Sequence, residues 1–274
     1  MADSPDSQRV DRPLTPLTAA LWSVGLWLVE NVCVQVTEAA RPGALSDIVN
    51  LGACQALATS LVVFAMVRVH ARETSLRVTL GVVPLAPLHF LLSIAAGAGL
   101  YPLLSTVDDW VLERWPQHPP GEAPSLDDTL MAKLLDVHTM GARVALVVAA
   151  FVVMPLAREL FFRGVVFTEL RRSGRLWVAM VASSVFFTAS QFDWRSMPSA
   201  LVLGLALARL RDRTGSVLGA VAAHLAFWSV AGIPILRGAD PAADVTYSPR
   251  WIAGGAVIAV LALVAVGAGH TQEH

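Results

Sequence analysis

Of 274 residues, 55% are hydrophobic and 15% are charged, with a net charge of −1. An ordinary soluble domain carries about 25% charged residues, so a single soluble core cannot hide this much apolar side chain, and a charge so near zero gives no electrostatic basis for binding nucleic acid. The two cysteines, Cys33 and Cys54, both lie in apolar stretches and exclude a disulfide framework or a thiolate metal centre, reading instead as inert buried thiols.

In chain order, the polar opening MADSPDSQRVDRP lacks the basic region of a cleavable signal peptide, so the first apolar stretch is expected to be a retained span. Eight hydrophobic segments follow, at about 14–36, 49–69, 84–106, 140–170, 175–192, 197–212, 215–236 and 250–268. Crossing the bilayer core takes about 20 apolar residues in a helix. The first three and last two segments meet this, the fourth exceeds it, and the sixth is short enough to be tilted or partly re-entrant. The run from Ala145 to Met154 does not alternate, and lipid requires backbone polar groups to be satisfied within the segment, so helices are expected rather than strands. The predicted fold is an all-α, polytopic transmembrane helical bundle of about eight spans, forming one integral membrane domain over 1–274.

The 107–139 connection, with Asp108, Asp109, Glu113, Glu122, Asp127 and Asp128 and a Pro119-Pro120-Gly121 break, is expected as an acidic outer loop capping one face. The connections after the second, fourth and sixth segments carry Arg68, Arg72 and Arg77, then Arg171, Arg172 and Arg175, then Arg209, Arg211 and Arg213. The positive-inside rule puts these three, and both termini, in the cytoplasm.

The fourth segment contains Pro155-Leu156-Ala157-Arg158-Glu159-Leu160-Phe161-Phe162-Arg163-Gly164. Each ion at the centre of a span costs roughly 2.5–3.5 kcal/mol, whereas each Leu, Phe or Val returns about 0.3–0.6. Three ions therefore offset more than ten apolar neighbours unless they pair or face protein or water. Glu159 and Arg163, four residues apart, can pair on one face; Arg158 lies about 100° around the helix and needs another partner. Glu159 stands roughly 17 Å of helix from Arg171, too deep for simple snorkelling. Glu30-Asn31, Phe187 to Gln191, and His224 to Trp228 add polar groups at comparable depths, with Glu30 available as a counter-ion for Arg158.

The order and spacing of these residues resemble the CPBP family of CAAX-protease and bacteriocin-processing membrane proteins, also called the ABI family. Its type II CAAX prenyl endopeptidases are glutamate-dependent intramembrane metalloproteases. The family pattern is Glu-Glu-x-x-x-Arg, then Phe-x-x-x-His, then His-x-x-x-Asn or Asp, on successive helices. Here it aligns with Arg158-Glu159 to Arg163, with Phe187 to Gln191, and with His224 to Trp228, inside a CPBP-like core at 140–236. The glycine-rich Ala95 to Gly99 stretch of the third segment fits more loosely. The resemblance implies peptide hydrolysis in the membrane, a catalytic zinc, and a bacterial cytoplasmic (inner) membrane location. It assigns Glu159, Arg163 and His224 to retained catalytic-motif positions, with His224 the metal ligand if a metal binds.

Three positions depart from the pattern. Arg158 stands at the water-activating carboxylate, Gln191 at the second-helix histidine, and Trp228 four residues after His224. A catalytic zinc keeps three protein ligands and a water; Gln is a poor ligand, Trp has no lone pair to offer, and Arg cannot take up a proton near neutral pH. Zinc is therefore expected not to be bound. The leading expectation is a pseudoprotease that holds a membrane or lipidated peptide or protein partner. Alternatives are an active metalloprotease with a remodelled site (Glu159 as base, Glu30 or Asp193 as ligand), a small transporter or channel using the buried charges, and a structural membrane subunit.

Overall fold

The computed structural model describes residues 14–71, 74–115, 136–191, 194–240 and 246–268. These form nine helices: α1 (Pro16–Ala40), α2 (Ile48–His70), the short α3 (Leu76–Thr79), α4 (Pro87–Arg114), α5 (Met140–Arg172), α6 (Leu176–Ala189), α7 (Met197–Thr214), α8 (Val217–Leu236) and α9 (Pro249–Ala268). No strand occurs among the described residues, and each of the eight apolar segments is a helix. Local chemistry sets several of the ends. Thr15 and Thr18 close a reciprocal capping box at the start of α1, with Pro16 in its first turn. Asp47 caps α2. Gly215, at φ +64°, terminates α7, and Ser216 then accepts from the Leu218 amide to begin α8.

Six helices, α1, α2, α4, α5, α8 and α9, are long and apolar enough to cross a membrane. Their outward faces are strongly apolar: Leu17, Leu21 and Val32 on α1 and Val257, Leu261 and Val264 on α9 are all exposed. This is an integral membrane protein. The two helices that separate six from the expected eight are α6 and α7. With 14 residues, α6 spans about 21 Å against a hydrocarbon core of about 30 Å, and the last turns of α7 carry Arg209, Arg211, Asp212 and Arg213.

Two expectations are corrected. The third segment does not end at 106: α4 runs to Arg114, so Asp108, Asp109 and Glu113 are helical. Leu104 and Val111, two turns apart, keep one face of that extension buried while Asp109 is exposed. The rest of the expected acidic cap, with Glu122, Asp127 and Asp128, lies outside the described residues, as do the N-terminal stretch 1–13, Arg72 and Asp193. The arginines assigned to the connection after the sixth segment belong to α7 itself, and Arg211 is buried.

Packing of α4 against α8 and α9 is backbone on backbone. A Cβ on Gly97 would overlap the Ala223 carbonyl of α8, and one on Gly99 would come within 2.6 Å of the Gly255 carbonyl of α9. Small residues of this kind let helices approach where no hydrophobic force separates helix from lipid. On the other side of the molecule, Phe161, Phe162, Val165 and Val166 of α5 pack with Ala58, Val62 and Met66 of α2 and with Phe187 of α6. α5 thus lies at the centre, with α2, α6 and α8 around it.

Candidate functional site

The helical ladder of α5 widens twice into π-turns, at Ala149–Val153 and Leu160–Val166. Pro155 accounts for the first: it has no amide hydrogen and crowds the carbonyl four residues back, which the wider turn relieves. In the second, the carbonyl of Arg163 accepts from Arg211 Nε at 3.2 Å, and Arg211 Nη2 donates to Thr168 at 3.0 Å. Turns of this type are frequent at functional sites.

Glu159 and Arg163 are completely buried, and Arg163 Nη1 donates to Glu159 Oε1 at 3.1 Å. The same oxygen lies 2.8 Å from His224 Nδ1 on α8. Arg163 Nη2 donates to the Gly204 carbonyl on α7 at 2.9 Å, and its guanidinium lies 4.4 Å from the centre of the Phe187 ring. Phe187 also meets His224 edge-on, with ring centres 5.8 Å apart. Gly204 makes this possible: a Cβ there would press Ser184 at 3.1 Å and Arg163 Nη2 at 3.3 Å. Four helices thus converge on one carboxylate–guanidinium–imidazole cluster. Removing one partner of such a buried pair strands the other charge, at a cost of about 3–5 kcal/mol. Glu159 Oε2 and Arg163 Nε have no hydrogen-bond partner among the described residues.

Beside the cluster is a cavity of about 570 Å³, whose wall includes Arg158, Gln191, Ser199, His224 and Trp228. With Glu159 ionised, His224 donates from Nδ1, and Nε2 is the lone-pair nitrogen left for the cavity. Trp228 stacks on Phe151 at 5.2 Å. Arg158 is half-buried and interacts electrostatically with Glu30 on α1 and with Glu159, while Glu30 also contacts Gln55 of α2. Asn31 is exposed and turns back on the Trp27 carbonyl, away from the site. Both cysteines are free; Cys54 is buried against Thr37 and Cys33 is half-buried.

The structure therefore gathers Glu159, Arg163, Phe187 and His224 in one cluster and places Arg158, Gln191 and Trp228 on the adjoining cavity wall. Sequence reasoning missed Asp108, which takes the Ser199 hydroxyl at that wall, because it was assigned to a loop. It also missed Gly204, whose carbonyl takes the Arg163 guanidinium, and Arg211, which bonds the Arg163 carbonyl and Thr168 more than forty residues away; the one visible signal was an arginine inside the apolar stretch of α7.

The donor set does not fit zinc. Among the described residues no three His, Cys, Asp or Glu side chains gather closely enough to hold a metal ion. One oxygen of Glu159 is shared between Arg163 and His224, Gln191 and Trp228 supply neither imidazole nor carboxylate, and Arg158 brings positive charge to the same cavity. No curated protein and no solved structure matches the chain. Residues 140–230, the stretch that carries all of these side chains, match the family described as Type II CAAX prenyl endopeptidase Rce1-like.

Proposed function

We propose that this protein is a membrane-embedded binding protein on a CAAX-protease-like helical core, a pseudoprotease that holds a membrane or lipidated partner without zinc-dependent peptide hydrolysis. The observation that carries this reading is Arg158 on the cavity wall, beside a Glu159 whose bonded oxygen is already committed to Arg163 and His224. Glu159 is fully buried and is not part of the cavity wall, which makes it a poor base for a water in the cavity, and a guanidinium there opposes a divalent cation. Gln191 and Trp228 on the same wall fit a recognition surface of apolar area with a few polar groups. In this reading α6 and α7 lie within the bilayer with the six longer helices, both termini are cytoplasmic, and the membrane is the bacterial cytoplasmic membrane.

The test is metal analysis and cleavage on the same detergent-purified protein, using a farnesylated CAAX peptide. The expected result is zinc far below stoichiometric and no cleavage above a no-protein control. Stoichiometric zinc that disappears in His224→Ala, together with cleavage that disappears in Glu159→Gln, would overturn the reading. Flux of solute through reconstituted vesicles, abolished by the same substitutions, would replace it with transport.

A further inference from the structure

We propose that the cavity beside Arg158 binds a single-chain amphiphile with an oxyanion head, a carboxylate or a phosphate, the head pairing with the Arg158 guanidinium. The inference rests on the cavity being a binding site, but it holds whether or not zinc is present.

The three arginines of this region differ in how their donors are used. Arg163 bonds Glu159 and the Gly204 carbonyl, and Arg211 bonds the Arg163 carbonyl and Thr168. Arg158, which has five N–H donors, makes no hydrogen bond and no ion pair within 4 Å among the described residues. The carboxylates that act on it, Glu30 and Glu159, do so at longer range. It stands 14 residues before Arg172, or roughly 20 Å of helix, on the wall of a cavity within the bundle rather than among the arginines at the helix end. A guanidinium in that setting is matched by an oxyanion, which takes two parallel hydrogen bonds from its fork.

The remainder of the cavity defines what carries the oxyanion. Its volume of about 570 Å³ is within the range of about 300–1,000 Å³ usual for small-molecule pockets. Met154, Phe187, Leu203, Phe227 and Trp228 line it with apolar and aromatic surface, suited to one hydrocarbon chain. An extended peptide would bring an amide donor and acceptor at every residue, each needing a partner in this setting; this wall offers few. Gln191 and Ser196, at the α6–α7 connection, lie on the wall at the end of those helices opposite Arg175 and Arg213. The polar side of the cavity therefore lies away from the arginine-rich helix ends. Asp108 is the opposing charge on the wall, held by Ser199, and it weakens rather than creates the anion site.

Binding of four probes to the purified full-length protein tests this: oleate, oleoyl lysophosphatidic acid, oleyl alcohol and inorganic phosphate, read by native mass spectrometry in a neutral detergent. Oleate, the lysophosphatidic acid or both are expected to bind about tenfold to a hundredfold more tightly than oleyl alcohol, the worth of charge-assisted hydrogen bonds, and the stronger of the two identifies the head group. Arg158→Gln is expected to erase that preference, Arg158→Lys to keep part of it, and Asp108→Asn to increase it. If Arg158→Gln does not fold, the comparison of charged with neutral probe on the unaltered protein decides alone. Equal binding of oleate and oleyl alcohol overturns the proposal, as does tight binding of phosphate without a chain. It is also overturned if a farnesylated peptide binds through its free C-terminal carboxylate while both lipids fail. Zinc and cleavage measured on the same sample separate its failure from that of the binding reading: oleate preference with zinc-dependent cleavage sinks only the latter.

Discussion

The seam between α4, α8 and α9 and the seam between α5, α7 and α8 hold the same bundle together by opposite means. In the first, side chains are removed: Gly97 lies against the Ala223 carbonyl, and Gly99 and Gly255 lie against each other. In the second, polar side chains are inserted, and Arg163 alone ties Glu159, the Gly204 carbonyl and the Phe187 ring across three helices. Lipid is as apolar as a leucine, so helix association has to come from close backbone contact or from polar bonds. Close contact leaves no room for a side chain at Gly97 or Gly99, and the cavity that does lie between α4 and α8 is lined almost wholly by apolar residues. The bonded seam borders a cavity whose wall carries Arg158 and His224, and that is where chemistry or polar recognition has its groups.

The contrast can be broken from either side. The largest effect is expected for Gly97→Leu, which forces a side chain into the Ala223 carbonyl; overpacking costs about 1–3 kcal/mol in forgiving sites and more where backbone is struck. The expected readout is loss of the monodisperse protein in detergent size-exclusion chromatography. Next is Arg163→Met, which strands the buried Glu159 and is expected to lower stability by about 3–5 kcal/mol in thermal or denaturant unfolding. Glu159→Gln combined with Arg163→Met should recover much of that loss, since no unpaired charge remains; a double variant as unstable as the sum of its parts would show that the pair is not coupled. The smallest effect is expected for Arg211→Met. It removes the bonds to the Arg163 carbonyl and Thr168, at about 1–3 kcal/mol. Hydrogen exchange should then rise at α5 residues 160–168 while α4 and α9 remain protected.

Much of this is legible in the sequence. The lengths of α1, α2, α8 and α9 follow from apolar run length, and Glu159 with Arg163 follows from helical spacing. Other features are not. The end of α4 was misplaced because Asp108, Asp109 and Glu113 read as loop, while the burial of Leu104 and Val111 that keeps the chain helical is a tertiary fact. Arg211 counted as a cytoplasmic charge because its partner is a carbonyl 48 residues away, freed by a π-turn that no spacing rule announces. Asp108 meets Ser199, 91 residues further on, at the cavity wall, a contact that no local spacing announces.

The sequence by itself determined that the chain resides in a membrane as helices, and that the fourth apolar segment carries charges which must be compensated. Both follow from solvation: lipid cannot satisfy a bare backbone and cannot hold an unpaired ion. Tertiary structure decided which charge is compensated by which partner. Arg163 is spent on Glu159 and Gly204, whereas Arg158, only five residues earlier, stands on the cavity wall with no hydrogen bond among the described residues. That assignment depends on where α7 and α8 pass, and hydrogen bonding, being short-ranged and directional, is settled only when the helices are in place.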